Sequence, residues 1–160
     1  MTTLIEAQGQ LSKKPNIAIV TALFNESITK TLEQGAIDCL AGRDLQPYAQ
    51  VYVPGAVEIP LAVKALLQDP KVDGVVTLGL VIRGETTHYD YVCQAVERGC
   101  SQLQLEYMKP VAFGVLTTEN RDQALARAGA PGGKGNKGID AMQVVLDMLE
   151  VLNAIGELKN

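Results

Sequence analysis

A chain of 160 residues, 47% of them hydrophobic, holds one domain with a full core and is too short for two ordinary ones. Its net charge of −4 supplies no basic stripe to displace counterions from a phosphate backbone, which excludes a general nucleic-acid binder and leaves small anions as ligands. No run approaches the roughly 18 apolar residues that span a bilayer, and the opening MTTLIEAQGQLSKK lacks the apolar core of a secretory signal, so a cytoplasmic protein without a membrane partner is expected.

Residues 3–7 (TLIEA) read as an extra strand on a polar arm covering residues 1–14. A detached strand of this kind pairs with the sheet edge of a neighbouring molecule or frays. Residues 16–22 (NIAIVTA) form the first buried strand, and 27–40 a helix with Ile28, Leu32, Ala36 and Leu40 on one stripe and Ser27 as its N-cap. Residues 49–53 are a second strand stopped by Pro54-Gly55, and 58–67 a short helix with Pro60 in its first turn. Residues 74–82 (GVVTLGLVI), bounded by Asp73-Gly74 and Gly84, are the most strand-like run and the expected centre of the sheet. A helix over 89–105, a strand over 111–116, a short helix over 120–127 and a long amphipathic helix over 140–158 complete the chain. Strands and helices in alternation predict an α/β fold, a parallel sheet covered on both faces. No repeat or low-complexity linker divides it, so residues 1–160 form a single domain.

Cys39, Cys93 and Cys100 form an odd set without a Cys-x-x-Cys pair, which suggests neither a disulfide framework nor a zinc site; they read as small buried hydrophobes. The only histidine, His88, follows the central strand in the run Arg83-Gly84-Glu85-Thr86-Thr87-His88-Tyr89-Asp90-Tyr91. A lone histidine more often caps or packs, yet imidazole is the side chain that exchanges protons near neutral pH without a large pKa shift.

Gly133-Lys134-Gly135-Asn136-Lys137-Gly138 matches G-x-G-x-x-G literally. It lacks the context of a dinucleotide site, because only 22 residues follow and they read as helix, with no further strand or acidic partner. Gly135 stands where a phosphate-binding P-loop needs Ser or Thr, so the segment reads as a flexible basic loop able to offer amides and an ammonium to an anion. Phe24 and Phe113, the two phenylalanines, lie on strands or at their C-terminal ends, where a flat heteroaromatic ligand would stack. Asn25, Glu58 and the 84–88 segment also follow strands, a convergence of polar groups at one sheet rim that suits an active site and names no reaction.

These segments together resemble the lumazine synthase family over nearly the whole chain. The likeness rests on Phe24-Asn25, Val53-Pro54-Gly55-Ala56-Val57-Glu58-Ile59-Pro60, the run from Leu78 through His88 to Val92, Phe113-Gly114-Val115-Leu116-Thr117-Thr118-Glu119-Asn120, Gln123-Ala124 with Arg127-Ala128-Gly129, and Gly135-Asn136-Lys137-Gly138, in the family's order and spacing.

The resemblance implies a flavodoxin-like three-layer α/β/α sandwich with a central, mainly parallel sheet. It also implies condensation of 5-amino-6-(D-ribitylamino)uracil with 3,4-dihydroxy-2-butanone 4-phosphate, the penultimate step of riboflavin biosynthesis, with no cofactor and no metal. Phe24 would stack on the pyrimidine, Ala56, Val57 and Glu58 would bind the ribityl chain and ring, and Leu80, Val81 and Ile82 would offer backbone groups. Glu85, Thr86 and Arg127 would receive the phosphate, and His88 would shuttle protons. Phe113, Arg127 and Lys137 would come from an adjacent subunit of a homopentamer, and Asn25 and Asp140 would join the site.

Two departures and one insertion stand out. Many members carry Glu before the phosphate-binding Arg and Arg before Phe-Asn, where this chain has Ala126 and Leu23. Ala130-Pro131-Gly132-Gly133-Lys134 lengthens a link that is three residues in shell-forming members, so a pentamer or a pair of pentamers is expected in preference to a closed shell. A related riboflavin synthase would share the fold without needing the phosphate residues. A non-catalytic flavin or lumazine carrier, or a shell protein, would not need His88 and Arg127.

Overall fold

The computed structural model describes residues 2–159. Its four strands, β1 (Ile17–Ala22), β2 (Ala49–Val53), β3 (Gly74–Ile82) and β4 (Val111–Thr118), form one all-parallel sheet in the order β2-β1-β3-β4. Five helices cover it: α1 (Glu26–Ala41), α2 (Ile59–Leu67), α3 (His88–Tyr107), α4 (Arg121–Arg127) and α5 (Lys137–Glu157). Alternate residues face opposite layers, as strand geometry demands. Ile17, Ile19, Val76, Leu78 and Leu80 pack with Leu32 of α1 and Met142 of α5, whereas Ala18, Val20, Val75 and Val115 pack with Val63 of α2 and Val96 of α3. Both faces being buried, β1 and β3 read as continuous apolar runs, and the expected flavodoxin-like three-layer sandwich is what forms.

The element order matches the sequence reading, with shifts at helix starts. Asn25, not Ser27, caps α1; Ser27 instead accepts a hydrogen bond from Arg121 at 3.1 Å through its Oγ. The last helix starts at Lys137, three residues before the expected 140, because the Asn136 side chain accepts from the Gly138 amide at 2.8 Å and caps it. The basic loop before it is tied shut: Ala128 bridges Asn136, and the Gly129 amide donates to the Gly135 carbonyl at 2.9 Å.

Residues 3–7 form no strand within this chain. The arm is nevertheless anchored just beyond them, where the amides of Gln8, Gly9 and Gln10 all donate to the Glu150 carboxylate of α5 at 2.6, 3.0 and 3.0 Å. Gly9, at φ 75°, supplies the left-handed turn that aims three successive amides at one anion. Glu150→Ala is therefore expected to speed amide exchange at residues 8–10 by roughly tenfold, the equivalent of about one charge-assisted hydrogen bond, while core amides keep their protection. Unaltered exchange at those three amides would refute the anchor.

Candidate active site

Open parallel sheets bind ligands beyond the carboxyl ends of their strands, where the strand order reverses. Here that point lies between β1 and β3. Their last paired residues are Thr21 and Leu78, while β3 stays paired to β4 as far as Ile82 and Thr118. The strands part above Leu78, leaving the β1-side backbone of residues 80–82 open except at the Leu80 carbonyl, which accepts the Asn25 side-chain amide at 3.3 Å.

The opposite wall grows from β1 and β2. The amides of Leu23 and Phe24 donate to the carbonyls of Val53 and Pro54 at 2.8 and 3.0 Å, extending the ladder past both strands and holding Phe24 at the lip with 71% of its surface exposed. Asn25 then takes a left-handed conformation at φ 63°, one that asparagine tolerates better than most residues, and its carbonyl accepts the Ile28 and Thr29 amides to launch α1. Pro54-Gly55 leads into a single 3₁₀ turn over Ala56–Glu58, with Ala56 buried and Val57 exposed. A Cβ on Gly55 would stand 3.1 Å from Glu58 Oε2, so glycine keeps the approach to that carboxylate clear.

A cleft of about 600 Å³ results, within the usual size of small-molecule sites. Phe24, Ala56, Val57, Glu58, Leu80, Val81, Ile82, Thr86 and His88 all line it. Glu85 lies on the same loop, exposed and outside the lining. His88 is the first residue of α3 and is exposed; its ring makes no hydrogen bond among the described residues, and its amide donates to Thr86 Oγ1 at 3.3 Å. Thr87, not His88, holds the N-cap position, and the ring is exposed without a hydrogen bond among the described residues, so neither capping nor core packing occupies the imidazole.

Phe113, Arg127, Lys137 and Asp140 do not meet these residues at the same rim. Phe113 is the third residue of β4 and pairs with Thr77, five residues or about 16 Å along the strand below Ile82. With Arg127, Lys137 and Asp140 it lines a second groove, about 540 Å³, between the outer edge of β4 and helices α4 and α5. That edge has no strand partner among the described residues, and Phe113 is 42% exposed on it. Arg127 Nη1 donates to the Gln123 carbonyl at 3.0 Å, and no carboxylate pairs with this guanidinium among the described residues. Lys137 is engaged with Asp140 at 2.6 Å. Of the four, Arg127 is the cation left open to an anion.

Four lining residues have no role in the sequence reading, Gly55, Gly84, Tyr89 and Val92. Val92 lies one helical turn beyond His88 on α3, so the i, i+4 spacing could have found it. Burial pushes the Tyr89 phenol up, helped by its neighbour Cys93, and burial likewise raises Cys93. Cys100 is buried and its thiol is pushed up to about 11, while Cys39 and Cys93 are half-buried. Protonated thiols of this kind pack and do not attack. Among the described residues no cluster of metal-ligating side chains forms, and no helix is long and apolar enough to cross a membrane.

Comparison with known proteins identifies the family the chain resembles. A family model described as 6,7-dimethyl-8-ribityllumazine synthase matches residues 14–153. Proteins of that name from Bdellovibrio bacteriovorus, Coxiella burnetii and Helicobacter pylori are 54%, 47% and 44% identical to the chain. The alignments cover 89%, 87% and 95% of this chain and 78%, 92% and 97% of those relatives, in the same order.

Proposed function

The chain belongs to the 6,7-dimethyl-8-ribityllumazine synthase family, a family of transferases, and from that premise we propose that it condenses 5-amino-6-(D-ribitylamino)uracil with 3,4-dihydroxy-2-butanone 4-phosphate, releasing phosphate and water. In this reading the reaction is the penultimate step of riboflavin biosynthesis, carried out in the cytoplasm without cofactor or metal. What supports it most is the division of the family's residues between two open grooves. The cleft carries Phe24, Glu58, Thr86 and His88, and the groove on the β4 edge carries Phe113, Arg127 and Lys137. Neither holds a full set, so a complete site is made where the cleft of one chain meets the groove of another. A pentamer, or a pair of pentamers, provides that contact, with the lengthened 130–134 link opposing a closed shell.

The assigned roles follow from chemistry. Phe24 stacks on the pyrimidine, with Ala56, Val57 and Glu58 along the ribityl chain and the open backbone of Leu80, Val81 and Ile82 at the ring edge. The backbone amides of Glu85 and Thr86, free among the described residues, meet the phosphate with Arg127, whose planar fork suits that anion; the Glu85 carboxylate does not. The uracil's own amine attacks the ketone, so the protein supplies no nucleophile; it holds two substrates together and moves protons. Orientation alone is worth about 7–11 kcal/mol in favourable systems. His88, with its ring unengaged, gives and takes the protons that dehydrate the adduct and let phosphate leave.

Incubating the purified chain with both substrates and following lumazine absorbance tests the reaction, and no product would refute it. His88→Ala is expected to lower turnover roughly 10- to 100-fold without abolishing it, at or below the low end of positioned acid–base catalysis. Turnover at the wild-type level under saturating substrates would remove that role.

A further inference from the structure

His88 is carried on a loop with little to hold it. Among the described residues, no backbone hydrogen bond joins residues 84–86 to another element; the His88 amide donates to Thr86 Oγ1, and the Thr87 carbonyl accepts the Asp90 and Tyr91 amides at the start of α3. A side chain beside the loop supplies the missing ties. The Arg83 guanidinium donates through Nε to Glu119 Oε2 at 2.9 Å, just past β4, and through Nη1 and Nη2 to both oxygens of Asp90 at 3.4 and 3.3 Å, in the first turn of α3. Its plane also lies 4.2 Å from the centre of the Tyr89 ring, and its own amide donates to the Thr118 carbonyl at 2.9 Å.

We propose that Arg83 is a positioning residue: by bridging the end of β4 to the first turn of α3 it closes the 84–87 loop and fixes where His88 stands in the cleft. The proposal rests on the cleft being the site of condensation. A stabilising role does not account for the arrangement, because Arg83 is 38% exposed and its two partners 46% and 58%, where ion pairs are screened and contribute little to folding. What the guanidinium offers is geometry, since a planar fork with five donors can grip two carboxylates and a ring face at once and a lysine cannot.

The test compares Arg83→Met and Arg83→Lys with the wild type in steady-state kinetics, thermal melting and amide exchange of the free protein. Arg83→Met is expected to lower kcat about tenfold or more, with KM for each substrate within about threefold and the melting temperature nearly unchanged, since a misplacement of about 1 Å can cost that much. Amides 84–89 should exchange faster in the same variant, and Arg83→Lys should restore only part of kcat. Asp90→Asn and Glu119→Gln should each reproduce part of the kcat loss. The assignment is overturned if kcat stays within about twofold of the wild type, if exchange of the loop is unaltered, or if lysine restores full activity. A rise confined to KM for the butanone phosphate would make Arg83 a phosphate ligand and overturn it equally. An inactive wild type would instead refute the proposed reaction, and loop exchange in Arg83→Met would still decide whether this residue holds the loop.

Discussion

Gly138→Ala is expected to lower the melting temperature by about 10 °C or more, or to leave no cooperatively folded chain. Gly138 is the second residue of α5 and is buried against α1; a Cβ there would overlap the Leu32 carbonyl oxygen and lie 2.6 Å from its carbon. The obstruction is helix backbone, which cannot rotate aside as a side chain would, so α5 must back away from α1. Moving it breaks the cap as well. Asn136 accepts from the Gly138 amide at 2.8 Å and donates to the Thr31 carbonyl at 3.0 Å, which makes one residue both the start of α5 and its lock onto α1. Overpacking against side chains costs about 1–3 kcal/mol, and an immovable backbone should put this substitution at or beyond that upper end. Gly156→Ala is the control. It lies near the end of the same helix with open space around it, so alanine there should be neutral or stabilising by up to about 1 kcal/mol. Wild-type melting of Gly138→Ala by circular dichroism would refute the contact.

That contact also explains what the sequence could not disclose about α5. Lys137 and Gly138 read as the tail of a glycine-rich loop, because a helix propensity scale penalises glycine and the compensation comes from Leu32, more than a hundred residues earlier. β3 was legible to the residue, since an apolar run between Asp73-Gly74 and Gly84 carries its own boundaries. Asn25 was legible as a polar group after a strand, but its left-handed φ, which moves the cap of α1 two residues ahead of Ser27, depends on the Leu80 carbonyl across the crevice. Most of the cleft was readable for a related reason: Phe24, Glu58, Thr86 and His88 each lie in the short segment that follows a strand end, and parallel strands bring such ends together. Phe113 differs because the strand read from residue 111 already makes it a third residue and not a strand end, and the register of β4 on β3 sets it beside Thr77, below the cleft. Local pattern thus located the pieces, and it was the resemblance, not the pattern, that set Phe113, Arg127 and Lys137 on a neighbouring subunit.

Arg127→Ala is expected to reduce kcat/KM for the butanone phosphate by about 100- to 1,000-fold, as removal of a single preorganised donor to developing charge does elsewhere. The guanidinium has no carboxylate partner among the described residues, and its neighbour Ala126 brings none, so its charge is available to the ligand. Lysine should restore part of the loss as a point charge without the fork. The more telling use of this variant is in combination. Because Arg127 and His88 line separate grooves, a site shared between copies requires each from a different chain. Refolding Arg127→Ala together with His88→Ala in equal amounts then creates some interfaces that join an intact cleft to an intact groove. Random assembly of a cyclic oligomer with one such contact per subunit should restore about one site in four. Activity well above the sum of the two separately refolded variants would follow from that sharing. Additive activity alone would mean that cleft and groove act within one chain, and would overturn the shared site while leaving the assignment of Arg127 to the phosphate standing on its own kinetics.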